Sequence, residues 1–175
     1  MHFCRDVLGL AYAALGDFHH AIELYEQQLA IARDTNDRRS QGVALNNLGI
    51  AHKRQGNIPR AKDCYETLLA LARSINDLHR EGTALGNLGV LYAQQGDLRQ
   101  AVEFYKKRIE IAHEICDRQG EGNGLCNLSL ASYKLGDRNK AIEHGQAALD
   151  IFEQIQDPHA EPLREQLARW KNSAD

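Results

Sequence analysis

Three asparagines stand 40 residues apart in this sequence, at Asn47, Asn87 and Asn127. A side-chain amide offers a hydrogen-bond donor and an acceptor together, so a regular series of amides can pair with the peptide groups of a bound segment. The same amides can instead hydrogen-bond to a neighbouring repeat of the chain. Recognition of a partner's backbone is one interpretation of the series, and cohesion between repeats is the other.

Residue types that carry catalysis or bind metals are present, but without the spacing that such chemistry needs. His19, His20 and Cys64 fall in no four-ligand pattern. The sequence has no glycine-rich phosphate loop, no Ser/His/Asp order and no H-E-x-x-H motif. His52 takes the place of Tyr92 in the repeat, so we expect it to pack as an aromatic substitute. We therefore predict no enzyme activity, no cofactor and no metal.

Composition disfavours several other classes of function. The 175 residues include 21 Lys and Arg against 24 Asp and Glu, a formal charge of −3, so no basic face for nucleic acid is expected. No apolar run approaches the ~18–20 residues that cross a bilayer, and the first residues do not resemble a signal peptide. The four cysteines form no C-x-x-C pair. We expect a cytoplasmic protein that binds neither nucleic acid nor membrane.

The asparagines belong to a 40-residue repeat whose elements must position them. Turn-forming pairs recur at this interval, at Gly16-Asp17, Gly56-Asn57, Gly96-Asp97 and Gly136-Asp137. Before each glycine, apolar residues at i, i+3, i+4 and i+7 predict a helix A, and the same spacing after it predicts a helix B. The glycine can end A in a left-handed conformation, and the following Asp or Asn can cap B. Each repeat is therefore predicted to be an antiparallel helix pair.

Four such pairs and one final helix account for the chain. We predict an all-α fold, an α-solenoid, because neither helix of a pair can bury its apolar face alone. The array of 1–175 divides into repeats at approximately 1–37, 38–77, 78–117 and 118–157, followed by a capping helix at approximately 158–172. Asp157-Pro158 predicts the cap and first turn of that helix. His2 and Phe3 already lie in the register of a first A helix, which predicts that the chain continues a longer array.

A family resemblance is carried by the run Leu48-Gly49-x2-His52-x3-Gly56-Asn57-x3-Ala61-x3-Tyr65, which recurs from Leu88-Gly89 to Tyr105. It resembles the signature of the tetratricopeptide repeat family, whose usual period is 34 residues, so a period of 40 lengthens both helices. The segment 77–89 is similar to the 40-residue variety of Leu-Gly-Asn-rich spindle-orientation scaffolds and bacterial signalling proteins. The resemblance implies a right-handed superhelix and an adaptor whose concave groove, lined by A helices, binds a protein or peptide.

The groove side of each A helix follows from the helical angle of 100° per residue. Positions 43, 47, 50 and 54 cluster away from the predicted core positions 45, 48, 49 and 52, and the pattern recurs in later repeats. We name these positions the A-helix stripe: Val43, Asn47, Ile50, Arg54, Thr83, Asn87, Val90, Gln94, Asn123, Asn127, Leu130 and Lys134. Phe3, Val7, Leu10 and Ala14 are their counterparts in the first repeat. The apolar column through Ile50 and Val90 either contacts the ligand or is buried between A helices.

Several groove positions of this chain differ from those of related adaptors, which bears on the kind of ligand to expect. Adaptors that resemble this family and clamp a C-terminal carboxylate do so with Lys, Asn and Arg in the groove. This chain has Asn46, Gly86 and Cys126 at the corresponding positions, so such a ligand is not expected. The spindle-type scaffolds carry arginine at the first position of the stripe, where this chain has Val43, Thr83 and Asn123, so their acidic ligands are not transferred to it. Cys126, on the groove side, is a candidate reactive thiol. The run Lys106-Lys107-Arg108 is interleaved with glutamates and predicts a mixed-charge surface.

Two functions remain after these exclusions. The first is a peptide- or protein-binding adaptor that uses the groove. The alternative is a structural or self-association arm, a sensor or regulatory segment of a larger multidomain signalling protein. The apolar residues Phe3, Val7 and Leu10 at the N-terminal face motivate this alternative.

Overall fold

The computed structural model describes the backbone of residues 2–172 and the side chains of residues 7–172, so the prediction for the side chain of Phe3 lies outside it. This part of the chain contains no strand and consists of helices joined by short turns. The helices are α1 (His2–Ala14), α2 (Phe18–Asp34), α3 (Arg38–Arg54), α4 (Ile58–Ser74), α5 (Leu78–Gln94), α6 (Leu98–Glu114), α7 (Arg118–Lys134), α8 (Arg138–Gln154) and α9 (Ala160–Asn172). The chain forms two compact units, residues 1–80 and 81–175.

Consecutive helices pack against each other within each unit. In the first unit α1 contacts α2, α2 contacts α3, and α3 contacts α4, while in the second α6 through α9 pack in the same sequential way. The prediction of an all-α solenoid built from helix pairs is confirmed. The helices α2 to α8 each have 17 residues, about 25 Å at 1.5 Å per residue.

Aspartate and asparagine side chains begin these helices as the sequence predicts. In the first unit Asp17 Oδ1 accepts a hydrogen bond from the backbone N–H of His20 at 3.2 Å, and Asn57 Oδ1 accepts one from Arg60 at 3.3 Å. Such bonds satisfy N–H groups that the first turn of a helix leaves without partners. The equivalent bonds in the second unit start α6, α7 and α8 at Asp97, Asp117 and Asp137.

The turns on the two sides of each B helix use different residues for the same left-handed conformation. Gly16, Gly56, Gly96 and Gly136 have φ between 81° and 86°, which confirms their predicted role at the ends of A helices. At the ends of B helices the positive φ values of 52° to 56° belong to Asn36, Asn76, Cys116 and Gln156. The sequence pattern shows no glycine there, so this second set of left-handed turns was not predicted.

A repeated contact between tyrosine and glycine joins the B helix to the A helix in the first three pairs. A Cβ atom added to Gly49 would lie 2.3 Å from Cε1 of Tyr65, and one added to Gly89 would lie 2.5 Å from Cε1 of Tyr105. Tyr65 and Tyr105 are at most 3% exposed. Glycine is therefore required at positions 49 and 89, because the ring of Tyr65 or Tyr105 lies directly against the A-helix backbone.

The last helix pair, α7 and α8, has other residues at the positions of the tyrosine–glycine contact. Ser129 stands in the glycine column, and its Oγ donates to the Ala141 carbonyl at 2.6 Å. Gly145 stands in the tyrosine column and leaves the space that Leu167 of α9 fills, since a Cβ there would lie 2.7 Å from Cδ2 of Leu167. The ring of Trp170 in α9 stacks on that of Tyr133 with centroids 4.3 Å apart. Helix α9 thus covers the last pair with side chains of its own.

The first turn of α9 differs from the prediction. The helix begins at Ala160, so Pro158 lies in the preceding turn rather than at the first helical position. The reason is that Asp157 Oδ1 accepts the N–H of His159, two residues on, at 2.7 Å. That bond closes a local turn before the helix starts.

Arg108 is not on a mixed-charge surface, and this part of the prediction is wrong. The residue is only 9% exposed, and its Nη2 donates to Asp117 Oδ2 at 2.9 Å. A Cβ on Gly82 would lie 2.2 Å from Nη1, and one on Gly120 would lie 2.0 Å from Nη2. The side chain is buried because two glycines on the neighbouring A helices leave room for its guanidinium.

Candidate peptide-binding surface

Helix α3 carries the part of the A-helix stripe that belongs to the first unit. Its opposite face is the core side, where Leu45 and Leu48 are 5% and 3% exposed. Val43 and Ile50 are 39% and 37% exposed, which is high for β-branched apolar residues in the middle of a helix. The predicted division of α3 into a core face and an open face is therefore present in the structure.

A cavity of about 460 Å³ adjoins this stripe in the first unit. The stripe residues Asn47, Ile50 and Arg54 line it, whereas Val43 lies on the same helix face outside the cavity. The other lining residues come from α1, from α2, from α3 and from the turn between α1 and α2: Leu10, Ala13, Ala14, Gly16, Phe18, Tyr25 and Ala51. The wall is thus largely apolar, with one amide and one guanidinium.

The sequence predicts only part of this cavity. Leu10 and Ala14 were expected on the open side of the first A helix, and Leu10 is 55% exposed. Phe18 and Tyr25 were not assigned to the site, since they belong to a B helix. The available signal was the turn at Gly16, which brings the start of α2 beside the end of α1.

Charge around the cavity is predominantly positive on α3. This helix has no Asp or Glu, and its last turn contains His52, Lys53 and Arg54. Burial, together with the neighbouring Arg54, holds the pKa of Lys53 below its ordinary value. Arg54 itself is exposed, so its guanidinium can meet a ligand at the cavity edge.

The second unit carries the stripe residues of α5 and α7. On α5, Thr83, Asn87 and Val90 are half-buried, and Gln94 is exposed. Val90 packs against a cluster that includes Tyr105 and Leu128, so part of this apolar column contributes to the core. On α7 the stripe is more open: Asn123, Leu130 and Lys134 are exposed, and Asn127 is half-buried.

The three asparagines of the A-helix stripe differ in their present contacts. Asn87 makes an interaction within the chain. Among the described residues, by contrast, the side-chain amides of Asn47 and Asn127 make no hydrogen bond with another group. The amides of Asn47 and Asn127 can therefore pair with a ligand without first giving up a hydrogen bond inside the chain.

Cys126 lies close to the stripe but is not a reactive thiol. It is half-buried and packs against the apolar cluster of Leu149, Phe152 and Leu163. Burial raises its pKa, so the thiol stays protonated at neutral pH. The prediction of reactivity is wrong because the side chain points toward a core rather than a positively charged open surface.

Among the side chains of residues 7–172, no group of three or more His, Cys, Asp and Glu is arranged to hold a metal ion. Within the same range, none of the helices combines the length and the apolar character needed to cross a membrane.

The succession of helix pairs, the tyrosine–glycine contacts and the open stripe on A helices define a helical-repeat protein of the interaction-scaffold class. Residues 5–74, 40–114 and 80–154 each match the tetratricopeptide repeat family. The chain belongs to the tetratricopeptide repeat family, whose repeats generally mediate protein–protein interaction. A comparison with curated protein sequences finds no match.

Solved structures share the fold at low sequence identity. A Signal Transduction ATPase with Numerous Domains (STAND) protein with a tetratricopeptide repeat sensor, from Pyrococcus horikoshii, is similar over 93% of this chain and 25% of its own, with 20% identity and a TM-score of 0.80. A putative kinesin light chain with nearly identical TPR-like repeats, from Podosopora anserina, is similar over 96% and 93%, with 19% identity and a TM-score of 0.71. BtubC (BKLC) from P. vanneervenii is similar over 98% and 81%, with 18% identity and a TM-score of 0.76. The chain thus spans about a quarter of the length of the STAND protein.

Proposed function

We propose that this chain is a non-catalytic module that binds a segment of a partner protein on the A-helix stripe. The observation that carries the proposal is the cavity of about 460 Å³ in the first unit, where exposed Leu10 and Ile50 stand beside Asn47 and Arg54. Apolar pockets with a few well-placed polar groups are the usual form of a binding site.

Each side chain of this cavity has a distinct part in the proposed complex. An apolar side chain of the partner enters between Leu10, Phe18 and Ile50 and is removed from water there. The Asn47 amide pairs with a peptide group of the same segment, which fixes the direction of its backbone. Arg54 at the edge, on a helix without acidic residues, favours a partner with a carboxylate beside its apolar anchor.

Photocrosslinking from inside the cavity tests this function. A photoreactive amino acid at Ile50 should capture a partner protein in cells that contain the chain. The same group at Ala70, which is exposed on helix α4, is the matched control and should capture none. Equal capture from both positions, or capture from Ala70 alone, would contradict the proposal.

A second function is favoured by one specific observation. Val7, Leu8 and Leu10 on α1 are 56%, 46% and 55% exposed, an apolar surface typical of contacts between chains. It supports the alternative of a self-association or sensor arm of a larger protein, the setting in which the repeats of the STAND protein are a sensor. Sedimentation separates the two functions, because a mass that stays that of a monomer at high concentration argues against self-association.

A further inference from the structure

A second cavity of the first unit lies between α2, α3 and α4, and no residue of the A-helix stripe lines it. Its volume is about 380 Å³, near the lower end of the range in which proteins bind small molecules or single side chains. Its lining residues are Glu26, Leu29, Ala30, Arg33, Leu45, Leu48, His52, Arg60, Asp63, Cys64 and Thr67.

The third repeat shows which side chains the same columns carry elsewhere. Tyr92 and Phe104 stand 40 residues after His52 and Cys64. Their rings stack, with centroids 5.2 Å apart and planes inclined by 18°. The second repeat therefore has an imidazole and a thiol where the third has two stacked six-membered rings. The cavity lies beside this smaller pair.

The lining indicates an uncharged ligand. The cavity floor contains Leu29, Leu45 and Leu48, all at most 8% exposed. Four charged residues complete the lining, two acidic and two basic: Glu26, Asp63, Arg33 and Arg60. These charges balance, so an ion of neither sign gains from entering, whereas an apolar neutral group gains from contact with the leucines.

The two central side chains suit contact with a ring. Burial raises the pKa of Cys64 to about 11, so its sulfur is a thiol, which makes favourable contacts with aromatic rings instead of acting as a nucleophile. Burial also lowers the pKa of His52, so at neutral pH its imidazole is an uncharged flat ring. His52 Nδ1 is buried without a hydrogen-bond partner among the described residues, a sign that this position is incompletely packed.

We propose that this cavity binds a neutral aromatic ring, which stacks on His52 and contacts Sγ of Cys64. The bound ring takes the place that the Phe104 ring has in the third repeat. Its source is a free aromatic molecule or a tyrosine or phenylalanine side chain of a partner, and both offer the same flat, uncharged surface. The site is independent of the peptide-binding surface proposed above.

Titration of the full chain with phenol tests the site. The ring proton resonances of His52 should shift and saturate, with half-saturation at roughly 1–10 mM for a ligand of this size. Cyclohexanol, which matches phenol in size and hydroxyl group but has no aromatic ring, should bind at least fivefold more weakly. N-acetyl-tyrosinamide distinguishes the sources: saturation in the same range assigns the site to a side chain, and saturation by phenol alone assigns it to a free molecule.

Substitutions at Cys64 provide the matched variants. Cys64→Phe supplies the missing ring and should weaken phenol binding at least tenfold without lowering the melting temperature. Cys64→Leu copies Leu24 of the first repeat and gives the same test if the phenylalanine variant fails to fold. Cys64→Ala removes the sulfur contact but leaves the cavity open, so it should weaken phenol binding by only about two- to fivefold, less than Cys64→Phe does. Equal binding of cyclohexanol and phenol, or unchanged phenol binding by folded Cys64→Phe and Cys64→Leu, would overturn the proposal.

Discussion

The asparagines of the A-helix stripe have the same place in the repeat but different partners. Asn87 makes an interaction within the chain, whereas among the described residues the amide of Asn47 bonds to no other group. Replacing the Asn47 side chain should therefore remove a contact to the ligand and hardly change the stability of the fold. Replacing the Asn87 side chain should also cost stability, because it removes that interaction within the chain.

We expect Asn47→Ala to weaken binding of the partner captured at Ile50 by about 1–3 kcal/mol, since the partner's peptide group would be desolvated and unpaired. Its free energy of unfolding should change by less than about 0.5 kcal/mol. Asn87→Ala is the matched variant, and both its affinity for the partner and its free energy of unfolding should fall. Urea unfolding and partner affinity measure the two quantities. An Asn47→Ala protein that unfolds early and, while folded, binds at full strength would contradict the role of this amide as a ligand contact.

Gln156 ends a B helix in the left-handed conformation without a side chain of the type that favours it, unlike Asn36 and Asn76. Its φ is 56°, a conformation that costs a residue with a Cβ roughly 1–2 kcal/mol. Glycine avoids this cost, but it loses more backbone entropy on folding than glutamine does, which offsets part of the gain. Gln156→Gly should therefore raise the free energy of unfolding by about 0.5–1 kcal/mol. Gly136→Ala, with φ of 86° in the native turn, is the opposite control and should lower it. Destabilisation by Gln156→Gly in urea would refute the argument.

At the scale of helices, equivalent slots between neighbouring elements are filled by arginines from different positions. In the first unit Arg80 comes from the start of α5, pairs with Asp77 and lies over Gly42 beside Leu68. In the second unit the equivalent of Leu68 is Arg108 on α6, and the equivalent of Arg80 is Gly120. Either arrangement places one guanidinium next to the aspartate that begins an A helix.

An exchange of residues between the slots tests this equivalence. Arg108→Leu should cost about 3 kcal/mol, because Asp117 loses its partner in a mostly buried position and Gly120 leaves empty space. The double variant Arg108→Leu with Gly120→Arg recreates the arrangement of the first unit and should recover at least half of that loss. The free energy of unfolding of both variants is the measurement. A double variant less stable than Arg108→Leu would show that the slots are not interchangeable.

The same comparison shows what the sequence can predict at this scale. The glycine turns, the aspartate caps and the Gly49–Tyr65 contact repeat at a fixed interval, so a single sequence is enough to place them. Arg108 breaks the period, and its local neighbours are charged, so the pattern assigns it to the surface. Only the distance between helices shows that Gly82 and Gly120 make room for it. The cavity beside Ile50 is unpredictable for the same reason, since Phe18 and Tyr25 reach it from another helix.

For the whole molecule, two sets of titrating groups determine the response to acid. The pKa values of five aspartates at or just before the starts of helices lie below the ordinary 3.8, for the most part because they accept hydrogen bonds from nearby side chains and backbone N–H groups: Asp17, Asp37, Asp77, Asp137 and Asp157. Burial lowers the pKa of His52 and His144 below the ordinary 6.5. In both sets the unfolded chain binds protons more readily than the folded chain, so both make stability rise with pH.

We therefore expect the melting temperature to fall in two steps as the pH is lowered. The first step begins near pH 6.5, the ordinary value for histidine, because protonation of His52 and His144 is easier in the unfolded chain. The second begins near pH 3.8, as the aspartates lose the charge that their hydrogen bonds favour, and continues below it.

His52→Phe with His144→Phe should remove the first step. Asp37→Asn should reduce the second, because asparagine caps α4 at Asn57 without a charge. Calorimetry from pH 7.5 to 3 measures both steps, and a melting temperature that rises between pH 7 and 5 would have the wrong sign for buried neutral histidines.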